Sequence, residues 1–290
     1  MAKDPKKKNQ EPDTTGHEWD GIQEYNNPLP RWWVWIFYAT IVWGIWYTIA
    51  YPAWPMISGA TEGYKGWSTR ANVAEEIAEA EAANAAINEK LASVELASIT
   101  GDDELQGYAR SAGEAVFNTW CVQCHGREGG GAVGYPTLSD DDWLWGGTME
   151  DIHTSVTVGI RDASDEDWLR QSEMPAFGAD ELLTDEEIDQ VVNYVMSLSG
   201  EPQDASKVAA GETVYLDNCA ACHGENGGGD QMQGAPNIAD AIWLYGGDYD
   251  TLMETVTYSR YGAMPPWKDR LSEAEIRAVS AYVHQLGGGE

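Results

Sequence analysis

A long uncharged stretch near the N-terminus dominates the hydropathy pattern of the chain. Residues 32–61 carry no charged side chain. The part from Trp32 to Tyr51 (WWVWIFYATIVWGIWYTIAY) matches the roughly 20 helical residues that cross the hydrocarbon core of a membrane. Tryptophan and tyrosine lie at both ends, as in the aromatic belts of spanning helices. We predict a transmembrane helix over residues 32–54, with a cleaved signal peptide and a buried core helix as the alternatives.

The segment before this helix, residues 1–31, is polar and favours an uncleaved anchor. It is longer than the start of a signal peptide, and it contains six acidic residues where a signal peptide has a short basic region. Its lysines and Arg31 favour a cytoplasmic N-terminus by the positive-inside rule. Everything after the helix would then lie outside the cytoplasm.

Residues 55–107 are predicted to form a linker that contains an Ala- and Glu-rich helix. The stretch 71–98 has few apolar residues, among them Ile77, Ile87 and Leu91, at loosely helical spacing. An apolar stripe so thin predicts a helix that packs on a neighbour or acts as a spacer.

The rest of the chain is an internal duplication. AGEAVFNTWCVQCHGREGGG at 112–131 matches AGETVYLDNCAACHGENGGG at 210–229, an offset of 98 residues. LTDEEIDQVVNYVMSL at 183–198 matches LSEAEIRAVSAYVHQL at 271–286, an offset of 88 residues. The falling offset locates an insertion of about ten residues in the first copy, near 161–172. We therefore predict two domains of one small fold, over residues 108–200 and 201–290.

Each copy is predicted to begin and end with a helix. Thr184-x-x-Glu187 and Ser272-x-x-Glu275 have the form of a capping box, and apolar residues follow them at helical spacing. The middle of each copy is rich in glycine, aspartate and tryptophan, without the alternation of a β-strand. A mainly α domain with so little regular core needs something large and apolar to bury.

All four cysteines lie in two C-x-x-C-H frames, which are typical of covalent attachment of a c-type haem. Two thiols on one helical turn can each bond a haem vinyl group, and the adjacent histidine lies under the iron. Zinc binding leaves the histidines unexplained, and a thioredoxin-like motif needs a βαβ pattern. We predict two covalently bound haem c groups, held by Cys121, Cys124 and His125 and by Cys219, Cys222 and His223.

Met174 and Met264 are the candidates for the second axial ligands. Each is followed by proline and lies just before the last helix of its copy. Histidine and methionine together as ligands raise the potential of a haem. The simpler assignment gives each haem the methionine of its own copy, but the spacing also permits the two copies to exchange their methionine loops.

Aromatic and basic residues also recur in both copies. Tryptophan or tyrosine beside Gly-Gly forms either a haem wall or a small structural core. Arg161 and Arg260 are candidates for pairing with haem propionates. His153 and His284 are interpreted as structural. The recurrent aromatic residues are Trp143, Trp145, Trp243 and Tyr245.

Charge excludes one class of partner and suggests another. The chain has 17 basic and 48 acidic residues, a net charge of −31. Binding of nucleic acid needs a basic surface, so it is excluded. The acidic runs Asp140–Asp142 and Asp165–Asp167 are predicted to be solvated and to steer a basic donor protein. No nucleophile triad or phosphate loop is present in the sequence, so we expect no catalytic centre of its own.

Taken together, these features resemble the membrane-anchored dihaem subunit, CcoP or FixP, of cbb3-type cytochrome c oxidases. The most specific part is HEWDGIQEYNNPLPRWW at 17–33, followed by one anchor and two C-x-x-C-H domains. The resemblance implies a mainly α fold, with one N-terminal transmembrane helix followed by two tandem cytochrome c domains. It also implies eight haem-binding residues, the two C-x-x-C-H frames with Met174 and Met264.

The same resemblance implies a place in a respiratory complex. The subunit would take electrons from a donor cytochrome c and pass them towards a monohaem subunit and the catalytic subunit, where oxygen is reduced. It would lie in the inner membrane of a bacterium, with its N-terminus cytoplasmic and its haem domains periplasmic. A free-standing, membrane-tethered dihaem shuttle is the alternative. A sensor or peroxidase is disfavoured by methionine at both distal positions.

Overall fold

The structure is a computed structural model that describes residues 13–165 and 167–289. The N-terminal lysines and Glu166 therefore lie outside the described residues. The chain divides into two units, Met1–Ala83 and Asn84–Glu290. Each unit is built mainly of helices, as the hydropathy pattern predicts.

The first unit opens with a β-hairpin that the sequence analysis did not predict. Strands β1 (Thr14–Trp19) and β2 (Ile22–Tyr25) pair antiparallel. The turn between them is Asp20-Gly21, and both residues have positive φ, as a type I′ turn requires. A second, very short hairpin, β3 (Pro55–Met56) and β4 (Gly59–Ala60), follows the first helix.

Helix α1 (Arg31–Ala50) is long and apolar enough to cross a membrane. Among its residues, all of which the structure describes, only Ala50 is buried. That exposure favours a membrane span over the core-helix alternative. The helix ends before residue 54, the predicted end, because Pro52 forces Tyr51 into an extended conformation (φ −118°, ψ 162°).

The second unit contains the end of α2 and eight further α-helices among its described residues. A 3₁₀ turn, Leu96–Gly101, follows α2, and a π turn, Phe117–Cys121, joins α3 to α4. The helices are α2 (Thr69–Ser93), α3 (Asp103–Val116), α4 (Val122–His125), α5 (Met149–Val158), α6 (Asp185–Ser199), α7 (Val208–Asn218), α8 (Ala220–His223), α9 (Tyr249–Tyr258) and α10 (Glu273–His284).

The ends of the Ala/Glu-rich segment and of the predicted linker belong to this second unit. Leu91 of α2 is fully buried with Ile99 and Leu105, against the alanine face of α10. Arg277 of α10 also donates from Nη1 to the carbonyl oxygens of Val94 and Leu91. The predicted linker, residues 55–107, therefore includes residues of the helical core. The apolar stripe at 71–98 is thin because Leu91 is the buried residue of α2.

Helices of one repeat pack on helices of the other repeat, an arrangement that we call crosswise packing. Helix α3 of the first repeat packs on α10 of the second, and α6 of the first repeat packs on α7 and α9 of the second. Both capping boxes predicted for α6 and α10 are present. Each packed core therefore joins elements from both repeats, and the sequence repeats are not the units of packing.

One buried core lies beside the first cysteine of each C-x-x-C-H frame. The first combines residues of α5 and of the segment before Cys121 with residues of α10, and the second combines residues of α6 with Tyr215 of α7. The first core contains Val116, Phe117, Ile152, Val156, Trp267, Leu271, Ile276, Val279 and Val283, and the second contains Val191, Val195, Tyr215 and Ile238.

Two glycines at matching positions permit these close crossings. A Cβ on Gly113 of α3 would overlap the carbonyl oxygen of Ala278 in α10. A Cβ on Gly211 of α7 would overlap the carbonyl oxygen of Gln190 in α6. The crosswise packing therefore explains why both repeats have glycine here, because only a residue without a side chain lets the backbones approach so closely.

Candidate haem centres

The two cysteine frames have the same local structure. Cys121 ends the π turn, and Cys124 and His125 lie on the single turn of α4. Cys219 ends α7, and Cys222 and His223 lie on the single turn of α8. In each frame the first cysteine is half-buried and the second is exposed. Both thiols of a frame are therefore on one helical turn, as attachment to two vinyl groups of one haem requires.

Each frame histidine is held by a prolyl carbonyl group from the loop that follows it. His125 Nδ1 lies 3.1 Å from the oxygen of Pro136, and His223 Nδ1 lies 3.0 Å from the oxygen of Pro236. A proton on Nδ1 leaves Nε2 free to bind a metal and fixes the plane of the ring. Burial lowers the pKa of both histidines, so at neutral pH they have the uncharged form that binds iron.

The thiols are not those of a disulfide-exchange enzyme. Burial, with a smaller contribution from the neighbouring cysteine, raises the pKa of Cys121 and of Cys219 to about 11. Reactive C-x-x-C motifs instead lower the pKa of a thiol to about 7 or below. The environment therefore disfavours the thioredoxin-like alternative and is compatible with thiols that serve only for attachment.

Met264 lies with the frame of the first repeat. Its side chain and Cys121 pack against the same buried core. Its backbone pairs with Ile160, with N–O distances of 3.0 and 2.9 Å. The methionine of the second repeat is therefore placed beside the first cysteine frame.

Met174 lies on a loop that is hydrogen-bonded to the second repeat. Its carbonyl oxygen accepts a hydrogen bond from Ser259 Oγ at 2.6 Å. The amides of Gly178 and Ala179, just beyond it, donate to the oxygen of Thr257 at 3.1 and 2.9 Å. Its loop is thus fixed to the end of α9, a helix whose Val256 packs on the same core as Cys219. The geometry matches the exchange of methionine loops, the alternative that the sequence spacing left open.

Comparison with known proteins assigns the family. A model of the N-terminal domain of cytochrome oxidase-cbb3, FixP, matches residues 11–58. A model of cytochrome c oxidase, cbb3-type, subunit III, matches residues 109–195 and 206–283. The CcoP subunit of the cbb3-type cytochrome c oxidase of Cereibacter sphaeroides is 58% identical over 289 residues, which cover 100% of this chain and 99% of that protein. The chain belongs to the CcoP/FixP family.

Other members of the family match at full length as well. The CcoP subunit of Rhodobacter capsulatus is 54% identical, with 100% of both chains covered. The FixP subunit of Azorhizobium caulinodans is 51% identical, with 96% of this chain and 94% of that protein covered. The FixP match spans the N-terminal hairpin and α1, and the subunit III matches span both cysteine frames. The resemblance that the sequence analysis described is confirmed, as is the helical fold with two cytochrome c domains.

The recurrent tryptophans take part in the two cores of this CcoP/FixP chain. Trp143 packs on the first core and donates from Nε1 to the carbonyl oxygen of Gly288. Trp243 packs on the second core. Trp145 is buried beneath the guanidinium of Arg170, whose Cζ lies 5.0 Å from the ring. These contacts match the structural-core alternative. Trp143 and Trp243 also lie beside the cysteine frames, because they pack on the same cores as Cys121 and Cys219.

Arg161 and Arg260, the two candidates for pairing with haem propionates, do not occupy matching places in the structure. Arg161 donates to the carbonyl oxygens of Ser172 and Gly262, both at 2.8 Å, and so holds the loop of Met264. The residue that matches Arg260 in the structure is Arg170. The sequence contains the signal, since Arg-x-x-x-Met-Pro occurs at 170–175 and at 260–265. An insertion placed at 161–172 hides this match, because the alignment resumes at Arg170.

The acidic runs differ in exposure from what the sequence predicts. Asp165 is buried, and its carboxylate accepts a hydrogen bond from the backbone amide of Arg170 at 3.0 Å. It therefore holds the inserted loop and does not form part of a solvated patch. Asp142 is half-buried, and burial, with the charges of Asp240, Asp140 and Asp141, raises its pKa to about 6.

This raised pKa predicts a pH-dependent stability. The folded chain keeps the proton of Asp142 up to about pH 6, whereas the unfolded chain loses it near its ordinary pKa of 3.8. The free energy of unfolding therefore falls as the pH rises from about 4 to 6. At pH 7, Asp142→Asn should raise that free energy by about 1 kcal/mol, a value reduced for solvent screening of a half-buried group.

Denaturant unfolding of the purified chain at pH 7 and at pH 4 measures this effect. The gain from Asp142→Asn should vanish at pH 4, where the native carboxyl group is already neutral. Asp141→Asn is the matched control, because Asp141 is exposed, and it should change the stability less. An equal gain at both pH values would contradict the assignment of the raised pKa to Asp142.

Proposed function

We propose that this chain relays electrons within a cbb3-type cytochrome c oxidase through two covalently bound haem c groups. One observation carries the proposal: each C-x-x-C-H frame has the methionine loop of the other repeat nearby. Met264 packs on the core that Cys121 also contacts, and the Met174 loop is bonded to Ser259 at the end of α9, whose Val256 packs on the core of Cys219. Each frame, together with its nearby methionine, thus provides two thiols, one neutral imidazole and one thioether. That set of donors fits a six-coordinate c-type haem and leaves no open position for a substrate.

In this proposal, each haem takes its histidine ligand from one repeat and its methionine ligand from the other. The first haem would be attached to Cys121 and Cys124, with His125 and Met264 as axial ligands. Support comes from the packing of Cys121 and Met264 against the same core and from the pairing of Met264 with Ile160.

The second haem would be attached to Cys219 and Cys222, with His223 and Met174 as axial ligands. The hydrogen bond from Ser259 to the Met174 carbonyl group supports this assignment. The haem supplies one-electron redox chemistry, and the thioether ligand favours a high potential. The chain itself orients the two histidine rings through prolyl carbonyl groups, and the four proposed ligands, His125, Met174, His223 and Met264, are half-buried.

The anchor would tether these domains to a membrane. Helix α1 is the candidate span, and its FixP-type hairpin precedes it. The basic N-terminus favours an N-inside orientation, which would put the haem domains in the periplasm of a bacterium. The partners proposed are the monohaem and catalytic subunits and a donor cytochrome c. A net charge of −31 suits a donor with a basic surface.

Purification from native membranes in a mild detergent tests this function. The haem-stained band of this chain should contain two c haems by pyridine haemochrome, and b haems and copper should be present in the same complex. A Cys121→Ala/Cys124→Ala variant should retain one c haem and serves as the calibration. Two c haems in a chain without partner subunits would contradict the oxidase assignment and favour the tethered shuttle.

A further inference from the structure

Two arginines precede the candidate methionine ligands at the same spacing. Arg170 lies four residues before Met174, and Arg260 lies four residues before Met264. The inserted residues of the first repeat end where this match begins. The insertion therefore keeps the distance between arginine and methionine unchanged in both repeats.

Each arginine stacks on an aromatic ring from the corresponding place of the repeat. The Cζ atom of Arg170 lies 5.0 Å from the centre of the Trp145 ring, and that of Arg260 lies 5.0 Å from the Tyr245 ring. A guanidinium over such a ring is held by cation–π attraction and by packing. The same stack thus forms twice, with a different aromatic residue in each repeat.

The polar contacts of the two guanidinium groups also match. Arg170 Nε donates to Ser155 Oγ at 3.2 Å, and Arg260 Nε donates to Thr255 Oγ1 at 3.0 Å. Arg170 makes further hydrogen bonds from Nη2, to the carbonyl oxygen of Trp145 at 3.4 Å and to a carboxylate oxygen of Asp151 at 3.3 Å. Arg170 is buried, with 9% of its surface exposed.

Each aromatic ring in turn contacts a loop of the opposite repeat, the loop whose prolyl carbonyl group holds the frame histidine. A Cβ on Gly234 would overlap the ring of Trp145. Gly234 lies two residues before Pro236, whose carbonyl group holds His223. Trp145 of the first repeat therefore supports the loop that orients the histidine of the second frame.

The matching contact supports the first frame. A Cβ on Gly134 would lie 3.2 Å from the ring of Tyr245, and the amide of Gly134 donates to the oxygen of Leu244 at 2.8 Å. Gly134 lies two residues before Pro136, whose carbonyl group holds His125. Both histidine loops are thus supported by an aromatic residue of the other repeat.

A side-chain hydrogen bond links the two ligand loops of the second frame directly. Ser172, between Arg170 and Met174, donates from Oγ to the carbonyl oxygen of Gln233. Gln233 is the residue before Gly234. The loop of Met174 and the loop of His223 are therefore joined beside the Arg170 stack.

We propose that Arg170, stacked on Trp145, is a positioning residue for the second haem centre and fixes the loops of both its axial ligands. Arg260, on its tyrosine, has the same role for the first centre. The inserted segment ends before Arg170, so it leaves this position unchanged. This inference rests on the proposed function, since it concerns the ligands His223 and Met174.

The charge of Arg170 gives the proposal a measurable sign. A buried cation disfavours the ferric form, which carries one more positive charge, and therefore raises the potential. Removal of the cation also leaves the negative charge of Asp151 without the positive charge that it pairs with. Loss of the stack loosens the methionine loop, and a weaker thioether ligand lowers the potential as well. The change in charge and the weaker thioether ligand therefore both lower the potential of the second haem.

Redox titration of the full-length chain with both haems attached tests the role of Arg170. In the Arg170→Gln variant, the ratio of reduced to oxidised second haem at a fixed ambient potential should fall roughly tenfold, or about 59 mV for one electron. The ferric absorption band of iron–methionine ligation should weaken for that haem only. Arg170→Lys should not restore this band, because lysine lacks the planar group that stacks.

The controls separate this inference from the proposed function. Arg270→Gln removes an exposed arginine that also lies over a tryptophan, with Cζ 5.5 Å from the Trp267 ring. This variant should leave the second haem unchanged. A wild-type haem count other than two would contradict the proposed function. With two haems attached, an unchanged second haem in Arg170→Gln, or a shift of the first haem instead, would overturn the role of Arg170 alone.

A second variant keeps the test decisive if Arg170→Gln fails to fold. Gly234→Ala places a methyl group against the Trp145 ring, so it should lower the potential of the second haem and leave the first unchanged. Gly134→Ala should act on the first haem only. A reversed assignment, with Gly234→Ala acting on the first haem, would overturn the proposal.

Discussion

Replacing Met264 with alanine will leave a vacant coordination position on the iron of the haem attached at Cys121 and Cys124, although that methionine belongs to the other repeat. The structure places Met264 against the core of the first frame, so its loss removes the thioether ligand there. The potential of that haem should fall by on the order of 0.1 V or more, because axial ligands set haem potentials over a range of roughly 0.8 V. The reduced haem should also bind carbon monoxide.

A chain that carries only one haem identifies the affected iron. In a Cys219→Ala/Cys222→Ala background, only the first frame can attach haem. In that background Met264→Ala should create a carbon monoxide site, and Met174→Ala should not. Met232→Ala, which alters an exposed methionine, is the matched control. A carbon monoxide site in the Met174→Ala variant would show that each repeat closes on its own haem.

Gly113→Ala will destabilise the chain far more than the same change six residues earlier on the same helix. The new methyl group would overlap the carbonyl oxygen of Ala278 and approach the side chain of Tyr282. Overpacking at a backbone contact has little room to relax, so the cost should be about 3 kcal/mol. Gly107→Ala meets no atom within 4 Å and should stabilise α3 by about 0.5–1 kcal/mol.

Denaturant unfolding of both variants measures this difference. Because Ala278 and Tyr282 belong to α10, the effect also tests whether α3 packs on the last helix of the chain. The first haem should lose part of its methionine ligation in Gly113→Ala, since α10 follows the Met264 loop. Equal stability of the Gly113→Ala and Gly107→Ala chains would contradict the crosswise packing.

The sequence contains enough to predict the elements and the chemistry of attachment. The uncharged run predicts α1, and Thr184 with Glu187 predicts the start of α6. The C-x-x-C-H frames predict which residues attach haem, because the required spacing is local. Each of these features depends on residues within a few positions of one another, which is where sequence patterns are most informative.

The partner of each helix was less predictable than its existence. The apolar face of α10 resembles that of α6, since the two segments are copies, so either helix has residues suited to either core. Hydrophobic spacing identifies the buried face and not the neighbour that covers it. The glycine pair Gly113 and Gly211 indicates that each repeat needs a close helix contact, but it does not identify which helix makes that contact.

Two features were missed although the sequence contained a signal for them. Asp20-Gly21 between Trp19 and Ile22 is a strong signal for a tight hairpin, but the segment is interpreted above from its charge and its family resemblance, neither of which predicts a strand. Arg170 was hidden because the insertion was placed a few residues too far along the chain. In both cases a local motif was present, and a broader interpretation of its surroundings concealed it.

An experimental map of the haem-loaded chain, at a resolution that separates side chains, tests the central claim most directly. The crossed assignment predicts continuous density from the sulfur of Met264 to the iron of the haem attached at Cys121 and Cys124. Density from Met174 to that same iron would contradict it.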